Sequence, residues 1–157
     1  MAELFIVITI MAIMTLLAVP RMAKVRDGGS ANSAAAEVGA AIESARAAAI
    51  QRGRRATVRF RGDSVLAVVD TGPPWLPSSG QMLVLRVANT KQSYGVALTV
   101  PANRDVLVYD ARGFANPRLV AAGGSTAGAT YVLARGAARD SVCLNDLGMI
   151  LPRGCRL

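Results

Sequence analysis

The 157 residues carry 18 basic against 10 acidic side chains, a net charge of +8, and no histidine. The missing imidazole excludes histidine-based catalytic triads and imidazole metal sites, and two cysteines twelve positions apart, Cys143 and Cys155, make a poor zinc set. Lys24 follows Ala23 and Lys91 follows Thr90, so no phosphate-cradling Gly-Lys-Ser/Thr loop exists, and the sequence reads as a non-enzyme without a cofactor. Apolar residues make up 52% of the chain and aromatics only 4%, so a core is affordable but must be built from Val, Leu, Ile and Ala. Sixteen of the 18 cations are arginine. Such a surface favours an anionic partner, whether nucleic acid, acidic lipid or an acidic protein face, and it equally serves solubility.

The chain opens on an uncharged run, Leu4 to Val19, with Glu3 before it and Pro20, Arg21, Lys24 and Arg26 after it. As a helix the run is about 24 Å long, a little short of the hydrocarbon core of a bilayer. Three readings are open. A buried core helix would keep a polar side, and this run is apolar on every face. A cleaved secretory signal wants a basic start, and Met1-Ala2-Glu3 is acidic. A retained helix that anchors in membrane and then packs with its own kind accounts for Glu3, because a carboxylate near lipid is tolerated when a cation or amine meets it.

These residues, Glu3-Leu4-Phe5-Ile6-Val7-Ile8-Thr9-Ile10 through Ala18-Val19-Pro20, resemble the N-terminal segment of type IV pilins and pseudopilins. The resemblance implies that Glu3 pairs with the N-terminal amine of a neighbouring subunit during filament assembly. The family carries a short basic leader ending in glycine and four residues before the glutamate; here Met1 and Ala2 precede it. The cations that follow the run would by themselves favour a cytoplasmic C-terminal side, and a basic leader upstream reverses that orientation.

Asp27-Gly28-Gly29-Ser30 can punctuate this helix, and Pro20 can kink it. Residues 30–52 are again helical: alanine-rich, with Val38, Ala41, Ile42, Ala45, Ala49 and Ile50 forming one stripe and Glu37, Glu43, Arg46 and Arg52 on the wet side. The expectation is one long helix with an anchor half and an amphipathic half, the latter lying on a sheet and ending at Gly53. In the next stretch Val58 and Phe60 face one side of a strand while Thr57, Arg59 and Arg61 face the other. Gly62-Asp63 then turns into a second strand over residues 64–69. The junction from Ala45-Arg46 through Arg52-Gly53 into this strand resembles the GspH/FimT branch of minor pilins and pseudopilins.

Residues 72–80, with three prolines and two glycines, form a loop in which Trp75 acts as a lid over the core or an exposed contact. Further strands are expected over 82–87, 96–100, 106–110, 130–134, 141–144 and 149–151, with a flexible loop at 121–128 and a turn at 145–148. The string Val108-Tyr109-Asp110-Ala111-Arg112-Gly113 resembles a strand-and-turn motif of the same branch. The acids Asp63, Asp70, Asp105, Asp110, Asp140 and Asp146 sit at turn-like positions and read as turn formers.

The ending Leu147-Gly148…Arg153-Gly154-Cys155-Arg156 resembles the C-terminal region of FimT-like proteins, where arginines in a glycine-containing tail are implicated in DNA binding. With a periplasmic destination a Cys143–Cys155 disulfide is the default. The tail must then fold back at Pro152, presenting Arg153 and Arg156 on a pinned loop with Arg135 and Arg139 as neighbours if the last hairpin gathers them.

The fold expected is α+β: a long N-terminal helix packed on an antiparallel β-sheet head, pilin-like. Residues 1–29 are the membrane or filament-core helix and residues 30–157 the head with its basic tail. The function implied is a minor pilin or pseudopilin at or near the tip of a type II secretion pseudopilus or type IV pilus, resident in the bacterial inner membrane with its head in the periplasm before assembly. Its partners would be other pilins. The alternatives are a FimT-like subunit that binds DNA through the tail, and a signal-anchored periplasmic protein with no filament.

Overall fold

The computed structural model describes residues 2–72, 82–102, 104–115, 128–151 and 155; the side chains of residues 2, 4–5 and 16–20 lie outside that description. Helix α1 spans Ala2–Arg52 without interruption. At 1.5 Å per residue it is about 76 Å long. It passes through Pro20 and through the expected punctuation at Gly28-Gly29, where both glycines are exposed and stand clear of other side chains. The termination is sequence-encoded: the amide of Gly53 donates to the Ile50 carbonyl and that of Arg54 to the Ala49 carbonyl, the pair of bonds that closes a helix on a left-handed glycine.

The head begins where α1 acquires a buried face. Ala31, Ala34, Ala35, Val38, Ala41, Ile42, Ala45, Ala48 and Ala49 are buried, at three- and four-residue spacings that make one stripe. Ile50, expected on that stripe, is 50% exposed. It has rotated off the sheet side and lies instead beneath Gly113.

Among the described residues seven strands follow: β1 (Ala56–Arg61), β2 (Ser64–Asp70), β3 (Met82–Asn89), β4 (Ala97–Thr99), β5 (Val106–Tyr109), β6 (Ala129–Arg135) and β7 (Ala138–Leu144). They form two antiparallel sheets, one of four strands in the order β3-β2-β1-β5 and one of three in the order β4-β6-β7. Both inner faces close over the α1 stripe, and Phe60 of β1 stacks on Tyr131 of β6 with ring centroids 4.4 Å apart. The small alanine-rich helix face lets the two sheets approach close enough for these rings to meet.

One element escaped the sequence reading, the single-turn helix α2 (Thr90–Tyr94) between β3 and β4. Its brackets are legible afterwards: the Asn89 side chain accepts from the Gln92 amide at 2.9 Å, and Gly95 closes the turn. Of the acids expected in turns, Asp140 lies instead within β7, opposite Leu133, because the β6–β7 turn comes earlier, before Ala138. Asp70, Asp110 and Asp146 accept from nearby or facing amides. Asp63 does more, since its carboxylate accepts the Leu98 amide at 2.9 Å and its carbonyl holds Thr90, tying the β1–β2 turn to α2 and β4. The expected lid residue Trp75 and the glycine-rich loop at 121–127 lie outside the described residues.

Candidate functional site

The first candidate surface is the free half of α1. From Glu3 to Arg26 every described side chain is exposed, including Ile6, Met11, Met14 and, at 73% and 77%, Met22 and Val25. The head first grips the helix at Asp27. Residues 2–26 therefore project about 37 Å beyond it. The one polar break whose bonds are resolved, Thr15, turns its hydroxyl back to the carbonyls of Met11 and Ala12, both at 2.9 Å, which leaves the helix surface there apolar. Glu3 sits in the first turn, where its charge complements the positive end of the helix dipole. Among the described residues no helix is long and apolar enough to cross a membrane.

The second surface is the end of the chain. Cys143 and Cys155 are bonded, with Cα atoms 5.6 Å apart. After β7, Asn145 organises the expected turn: its side chain accepts from Leu147 and Met149, and its amide donates to Met149. Ile150 then pairs with Leu144, and the Leu151 amide donates to Cys143 at 2.8 Å. Cys143 thus faces Leu151 across the ladder, and Cys155 returns to it as the sequence geometry required. Arg153 and Arg156 lie outside the described residues.

The other two tail candidates are separated. The register pairs Arg135 with Ala138 and Ala134 with Arg139, so Arg135 shares the inner face with Tyr131 and Leu133, while Arg139 shares the outer face with Cys143. Arg139 is exposed. Arg135 is tied to the helix: its Nε meets Asp27 Oδ1 at 2.9 Å, and its Nη1 donates to Ser30 Oγ and to the Tyr94 carbonyl. The hairpin does not gather the two arginines, because Arg135 pairs with Ala138 and Arg139 is the next residue along β7, on the opposite face. Beside this latch the Glu37 carboxylate, whose buried Oε2 has no hydrogen-bond partner among the described residues, pushes the Tyr94 phenol above its usual range.

At the other end of the head, Asp110 caps its turn by accepting from the amides of Arg112 and Phe114, at 2.9 and 3.0 Å. Burial pushes its carboxyl up, but those amides and the Arg112 guanidinium outweigh burial and hold it below the usual range. Arg46 reaches the Gly113 carbonyl at 3.0 Å. The Tyr109 and Tyr131 phenols are both pushed well up, first by burial. Among the described residues no group of three or more His, Cys, Asp or Glu is placed to hold a metal ion.

A long helix, half bare and half clamped by antiparallel sheets, is the fold of a pilin-like subunit. Among solved structures, the type IV minor pilin FimU of Pseudomonas aeruginosa strain PAO1 superposes in its P21 crystal form with a TM-score of 0.58 at 16% identity, over 81% of this chain and 96% of that one. Its P65 form gives 0.53 at 16% identity, over 79% and 98%. No curated protein sequence matches the chain. The family model for the type II transport protein GspH matches residues 34–148, and the chain belongs to that family.

Proposed function

We propose that the chain is a minor subunit at or near the tip of a type IV pilus or type II secretion pseudopilus, held in the inner membrane by α1 before assembly. The observation that carries this reading is the bare helix from Glu3 to Arg26. Each large apolar side chain on it gains about 1.5–3 kcal/mol on leaving water, and lipid or neighbouring helices supply that burial. In such surroundings Glu3 requires a cation or amine, which a neighbouring subunit's N-terminus provides. Glu3→Ala should abolish or strongly reduce incorporation into filaments while leaving the head folded. Unchanged incorporation would remove Glu3 from assembly.

A second reading, compatible with the first, is DNA capture by the basic tail. It is favoured by Arg139, exposed on the same face as the disulfide that pins Cys155 between Arg153 and Arg156. Arg135 drops out of that contact set, since its donors are committed to α1 and α2. Titration of the full chain in neutral detergent with duplex DNA should show affinity falling as salt rises. Arg153→Ala with Arg156→Ala should weaken it, and no binding at low salt would end this reading.

A further inference from the structure

The register of the four-stranded sheet creates a cationic row that the tail does not include. Along β1 the inner positions Ala56, Val58 and Phe60 are buried against α1. The outer positions are Thr57, Arg59 and Arg61, with both arginines exposed. Arg55 continues the same alternation one step before the strand, is exposed, and keeps the ladder going by accepting the Asp70 amide at 2.9 Å. Alternate strand residues stand about 6.6–6.8 Å apart, so Arg55, Arg59 and Arg61 run along about 20 Å of one line.

What lies beside the row matters more than its charge. Arg59 is flanked by Leu66 on β2 and Val106 on β5, and Val87 stands beyond Leu66 on β3. Arg61 faces Ser64. A cation on a sheet normally gains from an opposite charge across the ladder; here Arg59 and Arg61 have none, and neither guanidinium has an ion-pair or hydrogen-bond partner among the described residues. Four of the other described basic residues do find carboxylates, Arg46, Lys91, Arg112 and Arg135. Other described basic residues without an ion pair, among them Arg26, Arg86 and Arg139, lie elsewhere, and Arg55 faces Asp70 across the ladder; Arg59 and Arg61 stand on one face with no carboxylate opposite them.

We propose that the outer face of this sheet carries a phosphate-binding row, Arg55–Arg59–Arg61, that takes the sugar–phosphate backbone of a nucleic acid. A linear array of guanidinium forks suits an anion that is itself a linear repeat and accepts bidentate bonds. An acidic peptide lying on a sheet face, away from the edge, forms no ladder bonds and gains only exposed ion pairs of little worth, whereas a nucleic acid also releases condensed counterions. The outer positions of β1, β2 and β5 hold no aromatic ring, so the row reads backbone charge without base stacking and without sequence preference. It is independent of the tail, and the two sites are tested by separate substitutions.

The test uses the full chain in neutral detergent, a labelled 20-nucleotide single strand of mixed sequence, and its duplex, titrated from 50 to 200 mM salt. Arg59→Ala with Arg61→Ala, the tail intact, should raise Kd about tenfold and shrink the slope of log affinity against log salt by about 1.8 on the duplex and about 1.4 on the single strand, or about 0.9 and about 0.7 per lost phosphate contact. Arg59→Lys with Arg61→Lys should keep most of the slope. Should the alanine pair disturb folding, Ser64→Glu decides: it places a carboxylate opposite Arg61 at a half-buried position and should weaken binding several-fold. Unchanged affinity and slope in a folded alanine pair, or in Ser64→Glu, overturns the row. Displacement of the DNA by polyglutamate at equal charge concentration also overturns it, in favour of an acidic protein partner. Loss of binding on Arg153→Ala with Arg156→Ala alone, with the β1 variants silent, assigns the affinity to the tail.

Discussion

The hydroxyl of Tyr109 donates to the carbonyl of Gly148 at 2.6 Å, joining the last strand of one sheet to the turn that follows the last strand of the other. The Ala115 amide reinforces the seam by donating to the Leu147 carbonyl at 3.0 Å. Tyr109 is fully buried, so its phenol needs this partner, and Gly148 is held in a left-handed conformation with φ +76°. A Cβ at Gly148 would sit 2.5 Å from the Ala115 Cβ. The two sheets are thereby locked together at this seam.

Removing that hydroxyl should be felt directly. Tyr109→Phe leaves a buried carbonyl without its donor and should lower stability by about 1–2 kcal/mol. Gly148→Ala, with both strain and collision, should lower it by about 2 kcal/mol or more. Urea unfolding of the head, followed by circular dichroism, measures both, and an unshifted midpoint in Gly148→Ala would contradict the seam.

Alkali should act through the same residue. Burial, and next the Glu43 carboxylate, raise the Tyr109 pKa in the folded state. The stability it contributes is therefore fully present below the unfolded phenol pKa of about 10 and is lost as pH rises from there through the raised folded value. The wild type should lose stability above about pH 10, Tyr109→Phe less steeply, with Tyr131 supplying the remainder.

Acid should act at Asp110, with the opposite sign. Its folded pKa is lowered, so its contribution is present above the unfolded value of about 3.9 and fades as pH falls through the lowered folded one. Asp110→Asn should flatten the stability profile across that window. An unchanged acid limb would show that the turn at 110–114 does not depend on the carboxylate.

The latch between Arg135 and the helix should govern how firmly α1 is held where it leaves the head. Arg135→Ala removes bonds to Asp27, Ser30 and Tyr94 and should reduce stability by about 1–2 kcal/mol. The ion pair is partly exposed, so its share, isolated by a double-mutant cycle with Asp27→Asn, should be only about 0.5–1 kcal/mol. Faster amide exchange over residues 27–31 in Arg135→Ala would show the helix fraying at that point.

Reduction of Cys143–Cys155 should lower stability by about 3 kcal/mol on chain-entropy grounds. The β7 turn should survive it, because Asn145 and the Leu151–Cys143 bond hold it independently. Proteolysis confined to the tail after reduction, with the rest of the head intact, is the expected pattern.

Local chemistry decided much that could be seen before any fold was known. The uncharged run behind Glu3, the alanine stripe, the helix end at Gly53, the β1–β2 hairpin and the turn at Asn145 each rest on neighbouring residues, and those emerge from spacing alone. The single-turn α2 was missed because five residues carry too little periodicity, though Asn89 and Gly95 bracket it.

Charge placement was a different matter. Arg135 and Arg139 look like neighbours in the chain, yet the strand alternation across a two-residue turn sends one to the helix and one to solvent. Likewise Arg59 and Arg61 could be assigned to an outer face from the strand period, but their lack of acidic neighbours depends on which residues β2 and β5 bring alongside. The division of the head into two sheets, joined through Phe60–Tyr131 and Tyr109–Gly148, rests on partners tens of residues apart. The sequence by itself determined the elements and the bare apolar rod, because those follow from short-range spacing and hydropathy. Only the tertiary structure decided which arginines are spent inside the molecule and which remain for a partner, because long-range strand register sets the opposite neighbour of every side chain.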